Sequence, residues 1–218
     1  MSRGVLLALV AAAAPSAAAA QPLNWRSPAA ARHLVTVAAG VDYGAVLSVG
    51  YGYRLGQTVV GAEWSVPAGR DRVDDFTGRA GVRTVLRGGR AFVASLSAAA
   101  TVTRFRSPYL AATGLGGDVA AQMGRYGRRW FLAAEVGSDL TVASRLVHSE
   151  AYRANYPDVR DGWYRATGGH LRLGVLGGRS IGAADLHLGA GRLFERRLGG
   201  APLVPFYLRV GATVRLGA

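Results

Sequence analysis

The sequence contains no cysteine and no lysine, and no stretch beyond its N-terminus is apolar for long enough to cross a bilayer as a helix. Without cysteine there is neither a disulfide framework nor a lipid-anchored N-terminal thiol, so the chain is held together by its own burial or by a membrane. A spanning helix needs roughly 20 consecutive apolar residues. Here every later apolar run is interrupted within a few positions by Gly, Arg, Asp or Ser, which excludes a helical membrane protein. Lacking lysine, the chain carries 26 arginines against 13 acidic residues, a formal net charge of +13. A balance of that sign selects anionic partners, nucleic acid or acidic lipid headgroups among them.

What stands at the N-terminus decides between these partners. Arg3 precedes a short apolar run over 5–13, and small residues at Ala18, Ala19 and Ala20 precede Gln21. This is the layout of a cleaved secretory signal with an Ala-x-Ala site, too short for a membrane anchor. Residues 1–20 are therefore expected to be removed near Ala20, residues 21–32 to form a short periplasmic lead-in, and residues 33–218 to form the folded domain. Export argues against nucleic acid and leaves lipid headgroups as the anions.

From residue 33 onward the pattern has period two, the signature of half-exposed strands. Leu47, Val49, Tyr51, Tyr53 and Leu55 share one face, with Ser48, Gly50, Gly52 and Arg54 on the other. After a turn at Gly56-Gln57, Val60, Ala62, Trp64 and Val66 alternate with Gly61, Glu63 and Ser65. The alternation continues to the end, where Phe206, Leu208, Val210, Ala212, Val214 and Leu216 oppose Tyr207, Arg209, Gly211, Thr213 and Arg215. About ten strands result, with 8 or 12 as alternatives, and the connections alternate in length. Tight turns fall near Gly56, Gly88-Gly89, Arg125-Tyr126 and Gly177-Gly178, and longer, more charged ones around 67–75, 104–109, 143–162 and 195–205. Short turns at one end and long loops at the other are the asymmetry of an antiparallel up-and-down transmembrane barrel. The first hairpin, at Asp42-Tyr43-Gly44, is short where a long loop is expected.

A soluble β-sandwich also alternates, so the polar face has to discriminate. Arg54, Glu63, Arg79, Arg83, Asp118, Glu135, Asp139, His170, Arg172, Asp185, His187, Arg209 and Arg215 all fall on that face. In a sandwich they face water and need not be of both signs; in a narrow barrel they face one another, and unpaired charge there is costly. Their mixed signs, among small Gly, Ala and Ser neighbours, fit a salt-bridged lumen network. Aromatics fall in two bands: Tyr51, Tyr53, Phe92 and Trp130 near the tight turns, and Trp64, Phe105, Tyr109, Trp163 and Phe206 near the long loops. Such bands match the girdles at the two membrane interfaces.

On this pattern, and on the C-terminal strand from Phe206 to Leu216, the chain resembles the small bacterial outer-membrane β-barrel proteins of eight to twelve strands, over nearly everything from His33 to Leu216. The resemblance implies an outer-membrane location, lipid and lipopolysaccharide as surroundings, passage through the barrel assembly machinery, and a monomer. One departure is the terminus: members usually end in an aromatic residue, whereas this chain ends Leu216-Gly217-Ala218.

Chemistry is sparse. His148-Ser149-Glu150 supplies a nucleophile, a base and an acid in the longest loop, yet neighbours in an extended segment point apart, and a triad requires hydrogen-bond contact. His170 and His187, with Asp185, could form an acid/base or metal pair, but in a polar lumen they read more simply as structural groups. No His-x-x-x-His, phosphate loop or nucleophile elbow occurs, and nothing calls for a cofactor or a metal. Arg70, Arg72, Arg104, Arg106, Arg153, Arg160, Arg196 and Arg197 lie in or beside the long loops, where their forks suit lipopolysaccharide phosphates. Arg165 falls on the outward face, tolerable only near an interface. The expectation is a non-enzymatic barrel with a plugged lumen, structural or surface-interacting; a narrow pore, a lipid-modifying enzyme and a secreted sandwich binding protein remain as alternatives.

Overall fold

The computed structural model describes residues 22–26, 31–41, 44–68, 75–89, 91–195 and 204–217. The signal segment over 1–20, and Arg70, Arg72, Arg196 and Arg197, lie outside them. Ten antiparallel strands follow one another: β1 (His33–Val41), β2 (Ala45–Leu55), β3 (Thr58–Pro67), β4 (Phe76–Gly88), β5 (Phe92–Arg106), β6 (Leu110–Tyr126), β7 (Trp130–His148), β8 (Gly162–Ile181), β9 (Ala184–Glu195) and β10 (Phe206–Leu216). Each pairs with its neighbours in sequence, and β1 pairs with β10 from His33↔Leu216 to Val41↔Leu208, so the sheet closes on itself. This is an antiparallel up-and-down closed barrel, in which every strand is paired with a neighbour on both sides.

The period-two pattern fixes which face turns out. Val49, Val119, Val175, Leu188 and Val210 sit with half of their surface uncovered on the outside. Thr36, Glu63, Arg79, Arg83, Asp118, Arg172, Asp185 and Arg215 are buried inside. A soluble core inverts this arrangement; here the exterior is the apolar surface and the interior the polar one. Contiguous apolar surface on that scale needs a partner phase.

Strand lengths are not uniform. β1 to β4 have 9 to 13 residues and β9 and β10 have 12 and 11, but β5, β6, β7 and β8 have 15, 17, 19 and 20. The turns after β2, β4, β6 and β8 all lie at one end, the last of them at 182–183 rather than at the expected Gly177-Gly178, which lie within β8, so the surplus of β5 to β8 rises past the rim at the other end as a one-sided wall. This corrects two expected loops. The segment over 104–109 is strand to Arg106, with only residues 107–109 turning. In 143–162, β7 runs on to His148, and a six-residue helix α1 (Glu150–Asn155) sits in the connection to β8. The expected alternation fails there because β7 carries a bulge: Leu115 pairs with Ala143 and Gly116 with Thr141, leaving Val142 unpaired and reversing the parity beyond it. Inward residues are odd up to Thr141 and even from Ser144.

Phe105 is a further correction. It faces inward, packed on Leu110, Ala112 and Leu146 inside the wall, and is no part of the outer aromatic band. Trp64, Tyr109, Trp163 and Phe206 at that end, and Tyr51, Phe92 and Trp130 at the other, are exposed.

Candidate functional site

Register decides which lumen charges meet. Asp118 on β6 pairs across the sheet with Asp139, which in turn lies opposite His170 on β8, so β6, β7 and β8 bring acids and bases to one sector. Arg172 reaches over β7 to Asp118, Nη1 to Oδ2 at 2.5 Å and Nη2 to Oδ1 at 3.0 Å, and its Nε donates to Glu135 Oε1 at 3.0 Å. Gly137 makes this possible: a Cβ there stands 2.6 Å from the guanidinium carbon, so only glycine lets Arg172 lie across β7. Glu135 also accepts from Gln122, whose carbonyl oxygen accepts from Arg83, which donates further to Ser95 at 3.3 Å. The chain thus runs from β8 to β5 without a break.

On the opposite wall Glu63 receives Arg209 of β10 at 3.0 Å, Arg79 at 3.8 Å and the Ser65 hydroxyl at 3.4 Å. His170 Nδ1 lies 3.1 Å from Asp139. The carboxylates and arginines expected in the lumen therefore all line it, most of them in ion pairs within one cross-section. Such pairs are mutually satisfying rather than strongly stabilising, because each ion gave up its hydration.

The two lumen histidines do not form a site. His170 lies opposite Glu195, whereas His187 lies opposite Gly178, eight residues further along β8, so the two rings sit at different levels of the lumen. In the long loop, Ser149 caps α1 by accepting from the Tyr152 N–H at 3.2 Å, and His148 is bonded to Asp161, so His148, Ser149 and Glu150 do not assemble. Among the described residues no group of His, Cys, Asp or Glu is arranged to hold a metal.

The element that sequence reasoning missed is the stretch just ahead of β1. Residues 22–26 lie inside the barrel at its tight-turn end, with Leu23 and Asn24 fully buried and Trp25 7% exposed. Asn24 is the fixed point: its amide nitrogen donates to Gly127 O at 3.1 Å and Ser180 Oγ at 2.9 Å, and its backbone N–H to Asp185 Oδ2 at 3.2 Å. Thr213 donates to Pro22 O at 2.9 Å. Trp25 lies beneath the guanidiniums of Arg83 and Arg54, at 5.4 and 5.8 Å from the ring centre. Leu23 packs with Leu34, Tyr126 and Phe131 in a small apolar layer below the charged one. The cavity left between plug and charged layer, bounded by Trp25, Glu63, Arg79 and Asp118, measures about 40 Å³, room for one or two waters. A Trp inside a lead-in that ought to be polar was the only sequence signal for this.

Above the rim, Asp161 joins His148 and Arg153. It accepts from the His148 backbone N–H and Nδ1, each at 2.8 Å, and from Arg153 Nη1 at 2.8 Å. The His148 hydrogen bonds and, after them, the nearby cations hold its carboxyl below the usual aspartate range. Of the arginines expected to meet lipopolysaccharide, Arg153 is thus engaged with Asp161, Arg160 is exposed and lends its carbonyl to the Tyr164 hydroxyl, and Arg104 and Arg106 stand on the outward face of β5.

No protein-family model and no curated protein matches the sequence. Among solved structures, a KdgM porin in complex with disordered oligogalacturonate aligns at a TM-score of 0.44 with 7% identity, covering 84% of this chain and 99% of that one. A second KdgM porin structure aligns at 0.43, with the same identity and coverage. At those values the likeness carries no weight for function, and the barrel rests on its own strand register.

Proposed function

We propose that the protein is an integral outer-membrane barrel whose lumen is closed, and that it serves as a structural or surface-interacting element rather than as an open channel or an enzyme. The observation carrying this reading is the double closure of the lumen: the ion-paired layer around Arg172 and Glu63, with residues 22–26 bonded in beneath it. The exterior supports the membrane assignment, since outward side chains between the aromatic bands are apolar and strands of 9 to 13 residues match the ~9–11 needed for a tilted crossing. The tight-turn end then faces the periplasm and the wall of β5 to β8 faces outward.

The test is electrical and electrophoretic. The refolded mature chain is expected to migrate faster unheated than boiled and to leave a planar bilayer silent. Stable single-channel steps from the intact chain count against closure, and recovery in the soluble periplasmic fraction counts against the membrane assignment.

A further inference from the structure

Charge on the strands is sorted by face. Among the described strand residues every carboxylate turns inward, from Glu63 on β3 to Glu195 on β9, and no acidic side chain stands on the outside. Outward charges are arginines alone, and they occur at the ends of strands. Four of them gather on one side, on the outer surface of the wall: Arg104 and Arg106 on β5, Arg145 on β7 and Arg165 on β8, all exposed.

The register sets their spacing. Arg104 and Arg145 share a row, each opposite Thr113 of β6, and so stand about two strand spacings, ~10 Å, apart. Arg145 pairs with Trp163 and Arg165 with Ala143, which makes Arg145 and Arg165 diagonal neighbours at ~7–8 Å. The guanidiniums of Arg104, Arg145 and Arg165 at that spacing repel one another and converge readily on a phosphate, whose geometry the Arg fork matches.

Directly membrane-ward of them the outer surface is hollow. Ala80, Ala98, Ala100 and Gly117 form the floor of an apolar groove flanked by Leu140 and Val142. The groove continues the same outward rows: Ala98, Ala100, Val102 and Arg104 follow one another on β5, and the bulged Val142 lies three residues below Arg145. A cationic mouth above an apolar trough has the polarity of one amphiphile.

We propose that Arg104, Arg145 and Arg165 bind the phosphate of a phosphorylated glycolipid of the outer leaflet, and that the groove at Ala100 and Gly117 receives one of its acyl chains. This rests on the membrane reading above and adds to it a stoichiometric lipid site at one position on the barrel.

The test uses the full mature chain in neutral detergent, mixed with bis-phosphorylated lipid A and read by native mass spectrometry. Wild type is expected to retain one molecule, and R104Q/R145Q/R165Q to lose occupancy at least tenfold. Dephosphorylated lipid A is expected not to bind, and millimolar inorganic phosphate not to displace the lipid, since the chain in the groove contributes. R192Q, which removes an outward arginine from β9, is expected to bind as wild type. G117L provides a second route that leaves the arginines intact: a Cβ at Gly117 meets nothing closer than 3.5 Å, so the barrel tolerates it while the groove fills and occupancy falls several-fold. Equal occupancy in the triple variant, an equal loss in R192Q, or no retention by wild type overturns the site. Heat-modifiable migration and flotation with phosphatidylcholine vesicles are scored on the same samples. Failure of those removes the membrane reading, whereas failure of lipid binding alone removes only the site.

Discussion

Arg172 has carboxylates on both sides and almost no water, and its contribution is asymmetric. Replacing the whole trio with apolar residues of similar volume costs little, but removing one member leaves buried charge without a partner, at about 3–5 kcal/mol. Arg172→Met, which strands Asp118 and Glu135, is therefore expected to lower the unfolding free energy of the refolded barrel by that amount. Arg209→Met leaves Glu63 with Arg79 and is expected to cost less. Urea unfolding monitored by Trp fluorescence in micelles ranks the two; equal losses would contradict this pairing. The inward set is legible in the sequence because side chains alternate with a strict period of two. Which inward residues meet is not, because partners such as Arg172 and Asp118, 54 positions apart, are set by register. Gln122 falls on the inward face by the same alternation, but without a charge it gives no sign that it links Arg83 to Glu135.

At the scale of the element, the wall of β5 to β8 is where reading the sequence falls short, and a single residue explains why. Val142 adds one position to β7, so the face that Thr141 and Ser144 occupy no longer follows simple alternation, and a strand to His148 looks like a loop. The connection above it is tied down by Asp161. Because its folded carboxyl titrates below the ordinary value of 3.8, the ionised form is favoured by the fold. The stabilisation is thus fully present above that value and is lost as pH falls through the lower, folded one. Loop proteolysis near α1 is expected to be slow at pH 7 and to rise sharply only below pH ~3.8. Asp161→Asn is expected to show the fast rate at both pH values. Ser149→Ala, which removes the cap on Tyr152, is expected to loosen α1 by about 1 kcal/mol at neutral pH without moving the acid transition. A rate for Asp161→Asn that matches wild type at pH 7 would remove Asp161 as the tie.

For the molecule as a whole, closure involves three parts of the chain that lie far apart in sequence: β1 pairs with β10, and residues 22–26 bond to the β6–β7 turn at Gly127 and to Ser180, Asp185 and Thr213 on the last three strands. The barrel wall closes through its own backbone ladder and does not need the plug, whereas the lumen's tight-turn end does. A mature chain lacking residues 22–26 is accordingly expected to retain heat-modifiable migration, because β1 to β10 keep every pairing, but to admit water as far as Arg83, Arg54 and Asp185. With those groups rehydrated, the ion-paired layer is the remaining barrier. Combining the deletion with Arg172→Met removes both closures, and ion steps in a planar bilayer are expected from the combination and not from the intact chain. Comparing the single changes with the combination then assigns closure: steps from the deletion alone place the barrier in the plug, and steps from Arg172→Met alone place it in the charged layer. Silence from the combination would place a third barrier beyond the charged layer, where Phe105, Leu110, Ala112 and Leu146 pack inside the wall.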